Sequence, residues 1–252
     1  MAFCPTGGRA RRESTSYTLP MDRTVAVIGG TGRSGHGLTM RLARAGVPVV
    51  IGSRDAGRAA EVGAALGERV REAGGGATIT GASNVDAAGR ADMAFLTLPY
   101  AAQRMLLPDL AAPLAGKVVV STAVPVRFDP DLGPVAVAMP AGSAAEEAAV
   151  LLPSSRLVAA MHTVSSAHLG RLELDLDEDV LLVGDDAEAK SAVAGIVDLL
   201  PGLRAVDGGR LGNARLAEQL AVLLLSVNRL AGRTAGIRFT NLPGRAAPPP
   251  KA

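Results

Sequence analysis

Thr24-Val-Ala-Val-Ile-Gly-Gly-Thr-Gly-Arg-Ser-Gly35 runs from a short apolar, β-branched stretch straight into a cluster of glycines. A buried parallel strand that ends in a tight turn has this composition. Leu38, Leu42 and Ala45 then recur at helical spacing, Gly46 stops the helix, and Val47 to Gly52 reads as a second strand. The unit is therefore βαβ, and it places Gly30-x-Gly32-x-x-Gly35 at the turn from the first strand into the first helix. Glycines there let the backbone approach a pyrophosphate closely, while the helix N-terminus offers amides and a favourable dipole. With 30 glycines in 252 residues the spacing alone carries little weight. The strand before it, and the helix and strand after it, make it a prediction of dinucleotide binding.

The end of the second strand indicates which nucleotide. An NAD-specific site places Asp or Glu there to bond the ribose hydroxyls, whereas this chain has Ser53-Arg54. A carboxylate would repel a 2′-phosphate; a hydroxyl and a guanidinium attract it. Arg58 lies four residues beyond Arg54 and is expected to face the same anion from the start of the next helix. The alternative for both arginines is ordinary solvated charge, and position after the strand favours the functional reading for Arg54. The expected ligand is NADP(H).

Downstream, Ala56 to Val70 reads as a helix, Ala77 to Gly81 as a third strand, Asp92 to Leu98 as a fourth that ends at Pro99, and Lys117 to Ser121 as a fifth. This alternation predicts an α/β fold, a Rossmann-type doubly wound parallel sheet that binds ligands beyond the carboxyl ends of its strands. Past residue 140 the pattern changes. A helix over 142–152 precedes a strand from Leu157 to Met161 that ends at His162; a strand Val180 to Gly184, a helix Ala187 to Leu199 and an extended Arg204 to Asp207 follow. A long apolar helix from Leu211 to Ala231 closes the pattern. The expectation is an NADP-binding domain over 23–155 and a smaller C-terminal α/β domain over 156–240. Leu220, Val222, Leu223, Leu224, Leu225 and Val227 require more than one face of the last helix to be buried, either in the core or against a second subunit, and a homodimer is expected.

Composition narrows the function classes. The chain is 48% hydrophobic but only 2% aromatic, without Trp, so its core is built from Ala, Val and Leu. A formal charge of +2 with scattered arginines leaves no nucleic-acid footprint. Cys4 is the single cysteine, which excludes an intramolecular disulfide and fits a reducing cytoplasm, and Cys/His zinc spacing is absent. No apolar run reaches the roughly 18 to 20 residues that span a bilayer. Arg9, Arg11 and Arg12 are not followed by the apolar core of a signal peptide. Residues 1–22 read as a disordered extension, with Met21 a candidate start, and 241–252 as a disordered proline-rich tail. The expected partners are small molecules, with neither nucleic acid nor membrane.

Val27-Ile-Gly-Gly-Thr-Gly-Arg-Ser-Gly-His-Gly37 followed by Ile51-Gly-Ser-Arg54 resembles the NADP-binding motif of the coenzyme F-420-dependent NADP oxidoreductases. Leu96-Thr-Leu-Pro99, Val118-Val-Val-Ser with Val124-Pro125, Ala160-Met-His-Thr163, Val183-Gly-Asp-Asp186, Leu211-Gly-Asn-Ala-Arg215 and Gly236-Ile-Arg-Phe239 also look like that family's segments, in order. The resemblance implies reversible hydride transfer between F-420 and the nicotinamide of NADP(H), the two rings stacked in a cleft between a larger and a smaller domain. It implies that Thr31, Gly32, Arg33 and Ser34 hold the pyrophosphate, and Ser53, Arg54 and Arg58 the 2′-phosphate. It further implies that Leu98, Val124 and Ser166 line the nicotinamide side, with Ala235 nearby, and that His162 faces the deazaflavin. Tyr100 departs from the pattern, which often has Trp, and Ser165 stands where Pro is common.

Other candidates carry plainer readings beside the functional ones. His162 follows a buried strand, where a neutral imidazole hydrogen-bonds a ring carbonyl or passes a proton, or serves as a satisfied structural histidine. His168 cannot share a helical face with His162, and His36 caps or covers the glycine loop. Glu173, Asp175, Asp177, Glu178 and Asp179 read as a solvated acidic loop, since the run lacks the glycine and terminal Glu of a calcium loop. Asp185 and Asp186 are expected to cap a helix. Competing functions are an NADPH reductase of another acceptor, such as an imine, a flavin or a metal chelate, and a non-enzymatic NADP(H)-binding protein.

Overall fold

The computed structural model describes residues 23–242; the expected N-terminal extension, with Cys4 and Met21, and the proline tail lie outside them. The chain runs β1 (Val25–Ile28), α1 (Arg33–Arg44), β2 (Val49–Ser53), α2 (Ala56–Glu72), β3 (Ile79–Ser83), α3 (Asn84–Arg90) and β4 (Met93–Leu96). It continues through α4 (Tyr100–Leu110), β5 (Val118–Ser121), β6 (Val126–Asp129), β7 (Gly133–Ala136), α5 (Ala144–Leu151), β8 (Arg156–Ala159) and α6 (Ser166–Leu169). β9 (Glu178–Leu182), α7 (Ala187–Asp198), β10 (Leu203–Asp207) and α8 (Ala214–Ala231) complete it.

Six strands form one parallel sheet in the order β3-β2-β1-β4-β5-β8. The order reverses between β1 and β4, so the crevice of a doubly wound sheet opens beyond the carboxyl ends of these two strands. Both sheet faces are covered, as the unbroken apolar runs require. Val25, Val27 and Phe95 pack on one side with Leu38 and Leu42 of α1, and Ala26, Ile28 and Leu96 on the other with Leu107 and Leu110 of α4. Gly63 and Gly81 bring α2 and β3 into close contact; a Cβ on Gly81 would lie 2.1 Å from the Ala59 carbonyl carbon.

The strand read as opening the smaller unit is the sixth strand of the large sheet: Val118 to Ser121 of β5 pair with Arg156 to Ala159 of β8. Local periodicity does not reveal which sheet a strand joins. The C-terminal unit is a second βαβ, β9-α7-β10, joined to the sheet edge by an antiparallel bridge between Ala159 and Val183. One apolar cluster runs through both, from Val25 and Val158 to Val180, Val193 and Leu203.

Helix α8 is not the long apolar helix that was expected. It is amphipathic: Ala214, Ala217, Ala221 and Leu224 face the protein with Glu218, while Leu216, Leu223, Val227 and Leu230 are exposed. No described helix is long and apolar enough to cross a membrane. The acidic run is not a solvated loop throughout. Glu178 and Asp179 belong to β9 and are 3% and 1% exposed, Asp179 held by two bonds from Arg204 (2.8 and 2.6 Å).

Candidate functional site at the strand switch point

A cleft of about 1060 Å³ opens at the carboxyl ends of β1 and β4. Thr31 to Ser34, Ser53, Arg54, Arg58, Leu98, Val124, His162 and Ser166 all line it. Gly30 and Gly35 stand behind the wall, packed on each other: a Cβ on Gly35 would lie 2.5 Å from the Gly30 Cα. Gly29, at φ +72°, makes the turn out of β1 in a conformation that favours glycine. A Cβ on Gly32, by contrast, would have as its nearest neighbour only the Gly29 oxygen at 3.5 Å, so this position is open towards the cleft.

The phosphate loop fits an anion by what it lacks. Gly32 caps α1 without any side-chain bond, and the first turn of α1 contains no acid. Helices α2, α3, α5 and α7 instead have amides satisfied by Asp55, Ser83, Ser143 and Asp186. The N-terminal amides of α1 are therefore free to meet a pyrophosphate. His36 covers the loop from behind; burial lowers its pKa, against a hydrogen bond with the Thr31 backbone, and its Nε2 is buried without a partner.

Arg54 lies just before α2, which begins where it was expected to. The helix starts at Ala56 with Asp55 as its cap, so Arg54 precedes the cap and only Arg58 is helical. Asp55 turns its carboxylate onto the Arg58 amide (3.0 Å). Ser53 is buried and accepts from the Asp55 amide (3.3 Å), whereas both arginines are exposed. Two exposed cations beside a buried hydroxyl, all on one cleft wall, are suited to a phosphate monoester.

The opposite end of the cleft is built by the C-terminal half. Met161 adopts φ +67° just past β8 and turns the chain so that His162 to Ser166 face the cleft. His162 keeps its Nε2 buried without a hydrogen-bond partner, and burial holds its pKa down to about 4, so the imidazole is neutral at neutral pH. Arg41 of α1 fastens this segment: its guanidinium donates to the carbonyls of His168, Leu169, Arg171 and Leu174 at 2.7 to 3.1 Å. His168 lies outside the cleft lining, 3.7 Å from Glu178. Ala235 also lies outside it but donates its amide to Asn228 (2.6 Å), which does line the cleft. Among the described residues no group of His, Cys, Asp or Glu is arranged to hold a metal.

The structure adds residues that sequence reading missed. Asn84, 4% exposed at the start of α3, accepts from the Gly29 amide (3.3 Å) and lines the cleft. Thr97 and Thr122 donate to the carbonyls of Ile28 and Leu96 (2.9 Å each) and close the strand ends. Tyr100, Met105 and Leu106 of α4 and Ala221, Leu224 and Leu225 of α8 also line the cleft. Of these, Tyr100 alone carried a sequence signal for the site, as the position where the resembled family often has Trp.

The comparisons agree with this geometry. Residues 24–125 match the family described as NADP oxidoreductase, coenzyme F420-dependent. A protein of Methanothermobacter thermautotrophicus named F420-dependent NADP reductase is 39% identical over 227 residues, covering 87% of this chain and 95% of its own length. The chain belongs to this family. A crystal structure from Arthrobacter sp. FB24 superposes with a TM-score of 0.70 at 25% identity, covering 84% of this chain and 96% of the other. An imine reductase of Bacillus cereus shares the fold alone, at 19% identity and a TM-score of 0.58, covering 83% of this chain and 63% of its own.

Proposed function

We infer that the protein is an F-420-dependent NADP reductase, an oxidoreductase that moves a hydride reversibly between NADP(H) and coenzyme F-420. The observation that carries this is similarity to the F420-dependent NADP reductases over 87% of this chain and 95% of the relative's length. An imine reductase shares only the fold, so the alternative acceptors have no comparable support. The two coenzymes supply the redox chemistry; the protein binds, aligns and shields them.

The residues divide the work along the cleft. Thr31, Gly32, Arg33, Ser34 and the α1 amides hold the pyrophosphate, with Gly30 and Gly35 permitting the close approach. Ser53, Arg54 and Arg58 read the 2′-phosphate. Leu98, Val124 and Ser166 flank the nicotinamide, and Ala235 reaches that region through Asn228. His162, neutral and lacking an internal partner for Nε2, offers a hydrogen bond to the deazaflavin rather than a strong base. Apolar side chains of α4 and α8 that line the cleft exclude water from the ring, and a homodimer formed through the exposed face of α8 covers the remaining leucines. The test is direct: NADPH added to purified protein and oxidised F-420 bleaches the deazaflavin absorbance. Intact NADPH binding without bleaching would remove this reading.

A further inference from the structure

Between β8 and β9 the chain leaves the sheet, and only the four residues of α6 interrupt its irregular course. This segment supplies Met161 to Ser166 and Leu169 to the cleft, yet no strand pairs with its backbone. Its carbonyls turn to α1 instead. Gly37, Arg41 and Arg44 recur at i, i+4 and i+7 and so share one face of that helix. Arg41, 4% exposed, donates from Nε to the Leu169 carbonyl (3.0 Å) and from Nη2 to those of His168 (3.1 Å), Arg171 (2.7 Å) and Leu174 (2.9 Å). Arg44 adds a bond to the Leu172 carbonyl (2.8 Å). Gly37 sets the spacing: a Cβ there would lie 2.6 Å from the Leu169 Cβ and 2.8 Å from the Gly170 nitrogen. The turn that aims His162 depends on such support, because a non-glycine residue at φ +67°, as Met161 is, keeps that conformation only when its surroundings enforce it.

We propose that Arg41 is a positioning residue for this reductase: through α1 it fixes the segment carrying His162 and Ser166 at a set distance from the phosphate loop, and so aligns the deazaflavin with the nicotinamide. The proposal rests on F-420 being the hydride partner. One helix then serves both coenzymes, its first turn at the pyrophosphate and its later turns on the deazaflavin wall. Arg41 itself does not line the cleft. Hydride transfer needs the donor and acceptor carbons in register, so a shift of that wall by about 1 Å is costly even when every contact to the rings survives. Lysine is no substitute, since the guanidinium bonds as a planar fork from two nitrogens and an ammonium from a single point.

Arg41→Lys and Arg41→Met test the bonds, and Gly37→Ala tests the spacing with Arg41 left in place. In each, kcat/KM for F-420 falls by about tenfold or more, with KM for F-420 raised. The NADPH dissociation constant stays within about twofold of wild type, because the first turn of α1 is untouched. A purely structural role would lower the folded fraction, which scales kcat and leaves KM in place. In Arg41→Lys without any coenzyme, amide hydrogen exchange over residues 162–174 becomes faster while β1 and β4 stay protected. A wild-type kcat/KM for F-420 in Arg41→Met overturns the proposal, as does wild-type exchange in that segment or an equal loss of NADPH and F-420 affinity. With a wild-type protein that reduces F-420, each of these results keeps the functional reading. A wild-type protein that binds NADPH but leaves F-420 untouched overturns both.

Discussion

Arg54 sits one residue outside α2, exposed, next to the buried Ser53. Replacing it with Asp puts a carboxylate where the 2′-phosphate is expected and removes a charge-assisted bond. The NADPH dissociation constant is expected to rise on the order of tenfold or more, with much less change for NADH. Titrating both nucleotides checks this; equal weakening would show that the 2′-phosphate is not read there. The place of Ser53 and Arg54 on the cleft wall was legible because the end of the second strand of a βαβ unit faces the crevice. Asn84 was not, since it lies 55 residues from Gly29 and meets it only through sheet pairing. Nor was the burial of Glu178 and Asp179 legible: a run of acids looks solvated until the strand that holds them is placed.

Helices α1, α5 and α8 are tied to their surroundings by single buried charges. Arg41, 4% exposed, satisfies four carbonyls around α6. Arg41→Met leaves them unpaired and is expected to cost about 2 to 4 kcal/mol in chemical denaturation. Glu218 of α8 accepts from the first amides of α5, Ala144 (3.0 Å) and Ala145 (3.1 Å), and burial pushes its pKa up to about 7 from 4.5. A carboxyl raised in this way favours folding in its protonated form: its contribution is complete below 4.5 and is lost as pH rises through 7. Thermal melts at pH 5 and pH 8 should therefore show a smaller loss of stability in Glu218→Gln than in the wild type. The helices themselves were largely readable: α2 and α7 begin where the sequence placed them, because Asp55 and Asp186 cap them. Helix α4 and the β6-β7 hairpin were not anticipated, because Pro108 inside the helix and short four-residue strands blur both periodicities.

At the scale of the whole molecule, α8 presents an apolar face that no other described residues cover. Leu223 (61% exposed) and Leu230 (88%) on α8 lie on the face that also carries Leu216 and Val227, and α8 packs beside β7 of the hairpin that bears exposed Phe128 and Leu132. If a second copy covers this face, Leu223→Glu combined with Leu230→Glu converts a dimer to a monomer in light scattering, whereas a wild-type monomer would show that the face stays open. The sequence by itself determined the βαβ unit, the glycine turn, the place of Ser53 and Arg54 at the end of the second strand and the parallel sheet. Each is a property of neighbouring residues: an apolar run, a glycine turn, a residue type at a strand end. Only the tertiary structure decided that β8 completes the large sheet, and that Asn84, Thr97 and Asn228 share the cleft with Arg54 and His162. The reason is physical: which groups meet, and which polar atoms lose water, is set by strand order and helix packing between segments far apart in the chain.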